Sequence, residues 1–190
     1  MSTSWLIRNV QAMGQAEAVD VVVRDGTIDA IGPDAGADAG NFEIIDGGGR
    51  LIFPGLVDAH THMDKTLMGL GWRRHEAGPN LLDLIENERR VRREEGIDSH
   101  QQSMRHARAA IATGTTHIRT HVDIDTEIGL KGFEGVRRTQ AELADALTMQ
   151  LVAFPQSGML VRPGTVDLLE DALRNGAEVM GGLDPSTIDR

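Results

Sequence analysis

Apolar positions in the first fifty residues come in short runs rather than helical stripes: Trp5-Leu6-Ile7-Arg8-Asn9-Val10, then residues 19–24, then residues 27–31. Two of these runs flank Asp25-Gly26, which predicts a β-hairpin closed by a tight turn. Residues 32–40, all Gly, Ala, Pro or Asp, read as a loop, and residues 42–45 as a further short strand before Gly47-Gly48-Gly49. Residues 1–52 are therefore expected to form a small β-rich module.

From Leu51 the pattern changes. Apolar runs at residues 56–62, 115–124, 150–154 and 178–182 alternate with stretches at 81–95, 99–113, 132–147 and 166–175, where apolar residues recur every three or four positions. Strands alternating with helices predict βα units and a parallel sheet. No internal repeat suggests a solenoid. The expected class is α/β, with residues 53–190 forming the first four βα units, the N-terminal half of a (β/α)8 TIM-type barrel. Barrels of this kind present chemistry at the carboxyl ends of their strands. Four units leave two sheet edges, and residues 183–190 show no helix or cap that would finish a fold. The chain is thus expected to pack against a C-terminal half, as a second polypeptide or a cleaved fragment, across a mainly apolar interface of more than roughly 2,000 Å². The completed barrel is expected to be a homo-oligomer.

Composition sharpens this picture. With 40% apolar but only 3% aromatic residues and no Tyr, the core must be built from Val, Ile, Leu, Ala and Met, which suits buried parallel strands. A formal charge of −10 disfavours nucleic acid and anionic membrane surfaces as partners. The basic cluster Arg89, Arg90, Arg92 and Arg93 is interleaved with Glu86, Glu88, Glu94 and Glu95 at helical spacing and reads as a solvated, salt-bridged face. The absence of Cys removes disulfides, thiolate-ligated zinc and a thiol nucleophile, so any metal must use His and carboxylates. No apolar run has signal-peptide or membrane-spanning length, and a cytoplasmic location is expected.

The chemistry concentrates in Phe53-Pro54-Gly55-Leu56-Val57-Asp58-Ala59-His60-Thr61-His62-Met63-Asp64-Lys65. Side chains two apart on a strand share a face at a separation of about 7 Å, so His60 and His62 can converge on one ion, and neutral imidazole suits both zinc and iron. A His-x-His pair alone is also compatible with two polar residues on an exposed edge; its place at the end of an apolar strand in a βα pattern favours a site. The run from Pro54 to His62 resembles the first-strand motif of the amidohydrolase superfamily. Met63-Asp64-Lys65 narrows the resemblance to the branch of cytosine deaminase and N-isopropylammelide isopropylaminohydrolase. Three further segments agree in order and spacing: Ile118-Arg119-Thr120-His121-Val122-Asp123, residues 151–158 and Gly181-Gly182-Leu183-Asp184-Pro185. The β-rich module also matches the side domain of that family.

The resemblance implies a metal-dependent hydrolase of non-peptide C–N bonds in cyclic amidines, cytosine-like or triazine-like. It implies one divalent ion, Zn or Fe, held by His60 and His62, with a third His and an Asp from later strands. The ion lowers the pKa of a water, which attacks the ring carbon bearing the leaving amine, while a Glu near the third His moves protons. Those three groups belong to the expected C-terminal half, so no catalytic acid or base is visible here. Gln156 matches a position that hydrogen-bonds the substrate ring, and its amide can both donate and accept. His121 and Asp123, two apart on one strand, lie where they could orient the metal site or line the pocket; direct ligation of the ion and a simple core hydrogen bond are the alternatives. Lys65 could attract a polar substrate group or pair structurally with the adjacent Asp64. His75, His100, His106 and His117 read as surface or satisfied histidines. A non-catalytic subunit that needs its partner is the competing reading from another class. Within enzymes the competitor is a dihydroorotase- or hydantoinase-like amidohydrolase, whose modified lysine after the fourth strand has no counterpart, since no Lys follows Lys131.

Overall fold

The computed structural model describes residues 4–37, 40–183 and 188–189. They separate into two units, Met1–Pro54 and Gly55–Arg190. Among the described residues no helix is long and apolar enough to cross a membrane.

In the first unit, β1 (Trp5–Ala12), β2 (Val19–Arg24), β3 (Thr27–Gly32), β4 (Glu43–Asp46) and β5 (Leu51–Ile52) form one sheet, ordered β3-β2-β1-β4 with β5 also on β1. The hairpin expected at Asp25-Gly26 is present. Both residues have positive φ, 51° and 75°, the backbone that a two-residue turn matching strand twist requires and that Gly adopts without cost. A bulge in β1, where Asn9 has φ 53°, lets its two ends pair in parallel with β4 and with β5. Val10, Val19 and Val21 form the core of this unit, covered by Ile7, Ala12, Val23 and Ile52.

The second unit follows the alternation read from the sequence. Its elements are β6 (Leu56–Thr61), α1 (Leu81–Glu94), α2 (Ser99–Ala112), β7 (Thr115–Asp123), α3 (Lys131–Glu142), β8 (Thr148–Phe154), α4 (Thr165–Arg174) and β9 (Val179–Met180). The sheet order is β6-β7-β8-β9 with every pairing parallel. The α/β class and the parallel sheet are therefore as expected. Two details differ. The helix expected over residues 132–147 stops at Glu142, because β8 begins at Thr148 and the chain must first reverse; Leu147, which continues the helical spacing, instead closes an α-turn onto Leu143 and enters the core. The fourth strand is short, and Asp184 and Pro185 of the matching segment lie outside the described residues.

Alternation along the strands sends Ile118 and Val122 of β7 and Met149, Leu151 and Ala153 of β8 to one face. There they meet Ala107 of α2, Phe133 and Val136 of α3, and Leu169 and Ala172 of α4. On the other face Val57 and Ala59 adjoin His117, Arg119 and Gln150, the last two hydrogen-bonded at 2.6 Å.

Candidate active site

The register between β6 and β7 decides which side chains reach the carboxyl end. Asp58 lies opposite Ile118 and Thr61 opposite Thr120, so β6 carries one residue more than β7 over this interval. The bulge breaks the simple alternation: Asp58 stands in register with a core residue of β7, while the His60 ring lies against His121 with centroids 4.2 Å apart. His62, one residue beyond the strand, completes a triangle, with ring centroids 5.6 Å from both His60 and His121. Phe154, at the end of β8, closes one side, its ring in T-shaped contact with those of His62 and His121 at centroid distances of 5.6 and 5.4 Å. The turn after His62 is pinned from below, because Met63 is fully buried and its N–H donates to Thr120 Oγ1 at 3.0 Å, while Ser99 Oγ donates to the Asp64 carbonyl at 2.7 Å.

His62 turns Nδ1 towards Asp123 Oδ1 at 3.7 Å, an ion-pair distance beyond direct hydrogen-bond reach. Nε2, across the ring, is thereby left for another partner. The buried Nδ1 atoms of His62 and His121 and the Oδ1 atoms of Asp64 and Asp123 find no hydrogen-bond partner among the described residues. Buried orphans of this kind call for an ion or water. Burial, then the charges of His60, His62 and Arg119, lower the pKa of His121, which favours the neutral imidazole that metals bind. Imidazole nitrogens and carboxylate oxygens of this kind are the donors that a divalent ion takes. Ligand atoms of His62, Asp64 and Asp123 also lie within 4.8 Å of one another. Cations of the protein already face these carboxylates, however: Lys65 and Arg92 reach Asp123 Oδ2 at 2.9 and 3.3 Å, and Arg92 lies 3.5 Å from Asp64 Oδ2. Lys65 and Arg92 therefore compete with any ion for these two carboxylates, although Glu88, 2.7 Å from Lys65, brings the network to three carboxylates against two cations.

The network tunes its members in opposite directions. Burial and the neighbouring charge of Asp123 raise the Asp64 carboxyl to about 7. Burial pushes Asp123 the same way, but His62, Lys65 and Arg92 outweigh it and hold Asp123 below the ordinary carboxylate value. Gln156 joins through Lys65, whose Nζ donates to Gln156 Oε1 at 2.6 Å, to Glu88 Oε1 at 2.7 Å and to Asp123 Oδ2. So Lys65 and Asp123 connect Gln156 to His62. The pairing alternative for Lys65 is realised, though with Asp123 and Glu88 rather than the adjacent Asp64.

Sequence reasoning missed Asp64, Glu88 and Arg92. The Arg/Glu cluster of α1 is not wholly a solvated face: Arg90 pairs with Glu94 in the open, but Arg89 is 5% exposed, bonded to Ser157 and Glu127, and Arg92 points into the network. The available signal was spacing, since Ile85, Arg89 and Arg92 share a helix face with an apolar member. His106 is a second correction. Its Nδ1 is buried without a partner among the described residues, and burial lowers its pKa, with Asp58 opposing. A depressed His stabilises the fold above its unfolded pKa of about 6.5, and that contribution is lost as pH falls towards the folded value. His106→Gln should therefore flatten the decline of urea midpoint between pH 7 and 5; an unchanged slope would remove His106 as its source.

Residues 43–182 match the sequence profile of the Amidohydrolase family. The N-isopropylammelide isopropyl amidohydrolase of Pseudomonas sp. (strain ADP) is 37% identical over 150 residues, which cover 75% of this chain and 36% of that protein. The crystal structure of N-isopropylammelide isopropylaminohydrolase from Burkholderia multivorans ATCC 17616 superposes with a TM-score of 0.91 at 45% identity, over 98% of this chain and 46% of that one. That of 5-methylcytosine deaminase from Klebsiella pneumoniae, liganded with 5-fluorocytosine, gives 0.77 at 31% identity, over 97% and 44%. The chain spans less than half the length of each of these relatives. With most of its length inside the matched profile, the chain belongs to the amidohydrolase family.

Proposed function

We propose that this chain supplies the metal-holding and substrate-reading half of a hydrolase that cleaves exocyclic C–N bonds of cyclic amidines. The observation that carries the reading is the packing of the His60 and His62 rings, centroids 5.6 Å apart, at the carboxyl end of a parallel strand, with His62 Nδ1 3.7 Å from Asp123 Oδ1. The names of the relatives, an isopropylaminohydrolase and a 5-methylcytosine deaminase, support the reaction class. When bound, a single zinc or iron ion supplies an acidified water as nucleophile. This chain's residues do the rest of its share. His60 and His62 hold the ion, Asp123 faces His62 Nδ1 as its counter-charge, His121 and Phe154 shape the wall, and Gln156 hydrogen-bonds the ring. The proposal includes residues 1–52 as part of a side domain, 53–190 as half of a (β/α)8 barrel, and a C-terminal partner carrying the proton-transfer Glu. It also includes a cytoplasmic setting and an oligomeric finished enzyme.

A non-catalytic subunit that only assembles with a partner, so that even the complex is inactive, is the second reading, favoured by the polar groups on the open face of the sheet. Elemental analysis of the purified chain, then assay with N-isopropylammelide and 5-methylcytosine with and without the C-terminal half, separates the two. Activity only in the complex, with about one ion per site, is expected. A metal-free active complex overturns the proposal. In that complex Gln156→Ala should lower kcat/KM by about 1 to 3 kcal/mol in transition-state terms, the cost of an unpaired buried polar group. An unchanged kcat/KM would place Gln156 outside the site.

A further inference from the structure

Lys65 has three ammonium protons and no lone pair, and Glu88 Oε1, Gln156 Oε1 and Asp123 Oδ2 take all three. This settles the orientation of the Gln156 amide, since only its carbonyl can face an ammonium. Gln156 Nε2 then donates one N–H to Glu88 Oε1 at 2.9 Å and keeps the other. Glu88 uses only Oε1 in these contacts, nothing among the described residues donates to Oε2, and its side chain is 35% exposed. Glu88 and Lys65 also line a cavity of about 250 Å³ whose remaining walls are Leu67, His75, Leu84, Asn87, Val91 and Arg92. That volume lies below the roughly 300–1,000 Å³ of drug-sized sites and suits a single ring.

We propose that Glu88 is a specificity-determining residue: its free Oε2, beside the remaining N–H of Gln156, forms an acceptor–donor pair that selects a neutral heterocycle presenting an N–H next to a ring acceptor. This deepens the hydrolase reading and rests on it. Lys65 is the positioning residue, because it holds the amide and the carboxylate side by side while its own protons are fully used. A ring without N–H leaves the carboxylate desolvated and unpaired.

The probes are cytosine, whose amino N–H adjoins a ring nitrogen acceptor, and uracil methylated on both ring nitrogens, which has no N–H. Each is titrated into the full chain while heteronuclear NMR follows the Gln156 side-chain amide. Cytosine should shift that signal and the methylated uracil should not. Glu88→Gln should raise the cytosine Kd by roughly tenfold or more, the scale of one hydrogen bond to a charged group. Leu84→Trp, which fills the cavity and leaves the ion ring untouched, should weaken cytosine to a similar degree. Equal affinity for both probes, no cytosine shift in the wild type, or wild-type affinity in both variants overturns the proposal. Zinc titration of the same samples separates the failures. Zinc seen at His60 and His62 without any Glu88 effect sinks Glu88 alone, whereas no zinc effect on either ring removes the hydrolase reading with it.

Discussion

Replacing His60 and His62 together with Ala should eliminate specific metal binding by this chain and lower kcat/KM of the completed hydrolase on the order of 10³-fold or more. The size follows from the chemistry assigned to the ion. Without coordination, water at neutral pH is a poor nucleophile, and restoring its pKa from near 7 towards that of bulk water removes several kcal/mol of barrier lowering. The fold should survive, because His60 is exposed, His62 keeps a quarter of its side-chain surface, and the turn that follows is held by Met63, Thr120 and Ser99. Circular dichroism and the urea midpoint should thus stay near wild type while elemental analysis shows the ion lost. A double variant that retains one ion per site would place the metal elsewhere. Asp123→Asn should give a smaller version of the same result, about 10- to 100-fold in metal affinity, since it loosens the His62 ring without removing a ligand.

The parts of this molecule that were legible in its sequence are those encoded locally. The β6 motif carries both histidines in three residues, and the parallel sheet announces itself through apolar runs alternating with helical stripes at every unit. What escaped depends on partners far along the chain. The β6 bulge is a property of register against β7, which no window around Ala59 contains. The same i,i+4 pattern of Arg and Glu serves a solvated helix and one that buries Arg89 and Arg92, and only the carboxylates waiting at Asp123 and Asp125 decide between them. Glu88 becomes part of the site solely through Lys65 and Gln156, 23 and 68 residues away. The early end of α3 has the same origin, because helical spacing persists through Leu147 but the start of β8 forces the reversal.

Lys65→Met should be the most destabilising substitution in the site, by roughly 3 to 5 kcal/mol in urea unfolding, the range seen when one member of a buried ion pair is removed. Lys65 and Asp123 keep only 6% and 7% of their side-chain surface, so solvent screens neither. Methionine fills much of the lysine volume, so the loss is electrostatic rather than a cavity. Asp123 would keep Arg92 at 3.3 Å as its remaining cation, while Gln156 Oε1 and Glu88 Oε1 would face apolar atoms. The pH dependence follows in sign. Because Asp123 is held below its ordinary value, its ionised form contributes stability above the unfolded carboxylate pKa of about 4, and this is lost as pH falls through the folded value. Removing Lys65 raises the folded value, so that contribution should shrink and acid unfolding begin at higher pH. The double variant Lys65→Met with Asp123→Asn tests the assignment through a thermodynamic cycle. If the charge left on Asp123 is the source of the loss, the second substitution should recover a substantial part of it, whereas additive losses would mean that Lys65 stabilises the chain by its aliphatic packing and that the ion network is incidental.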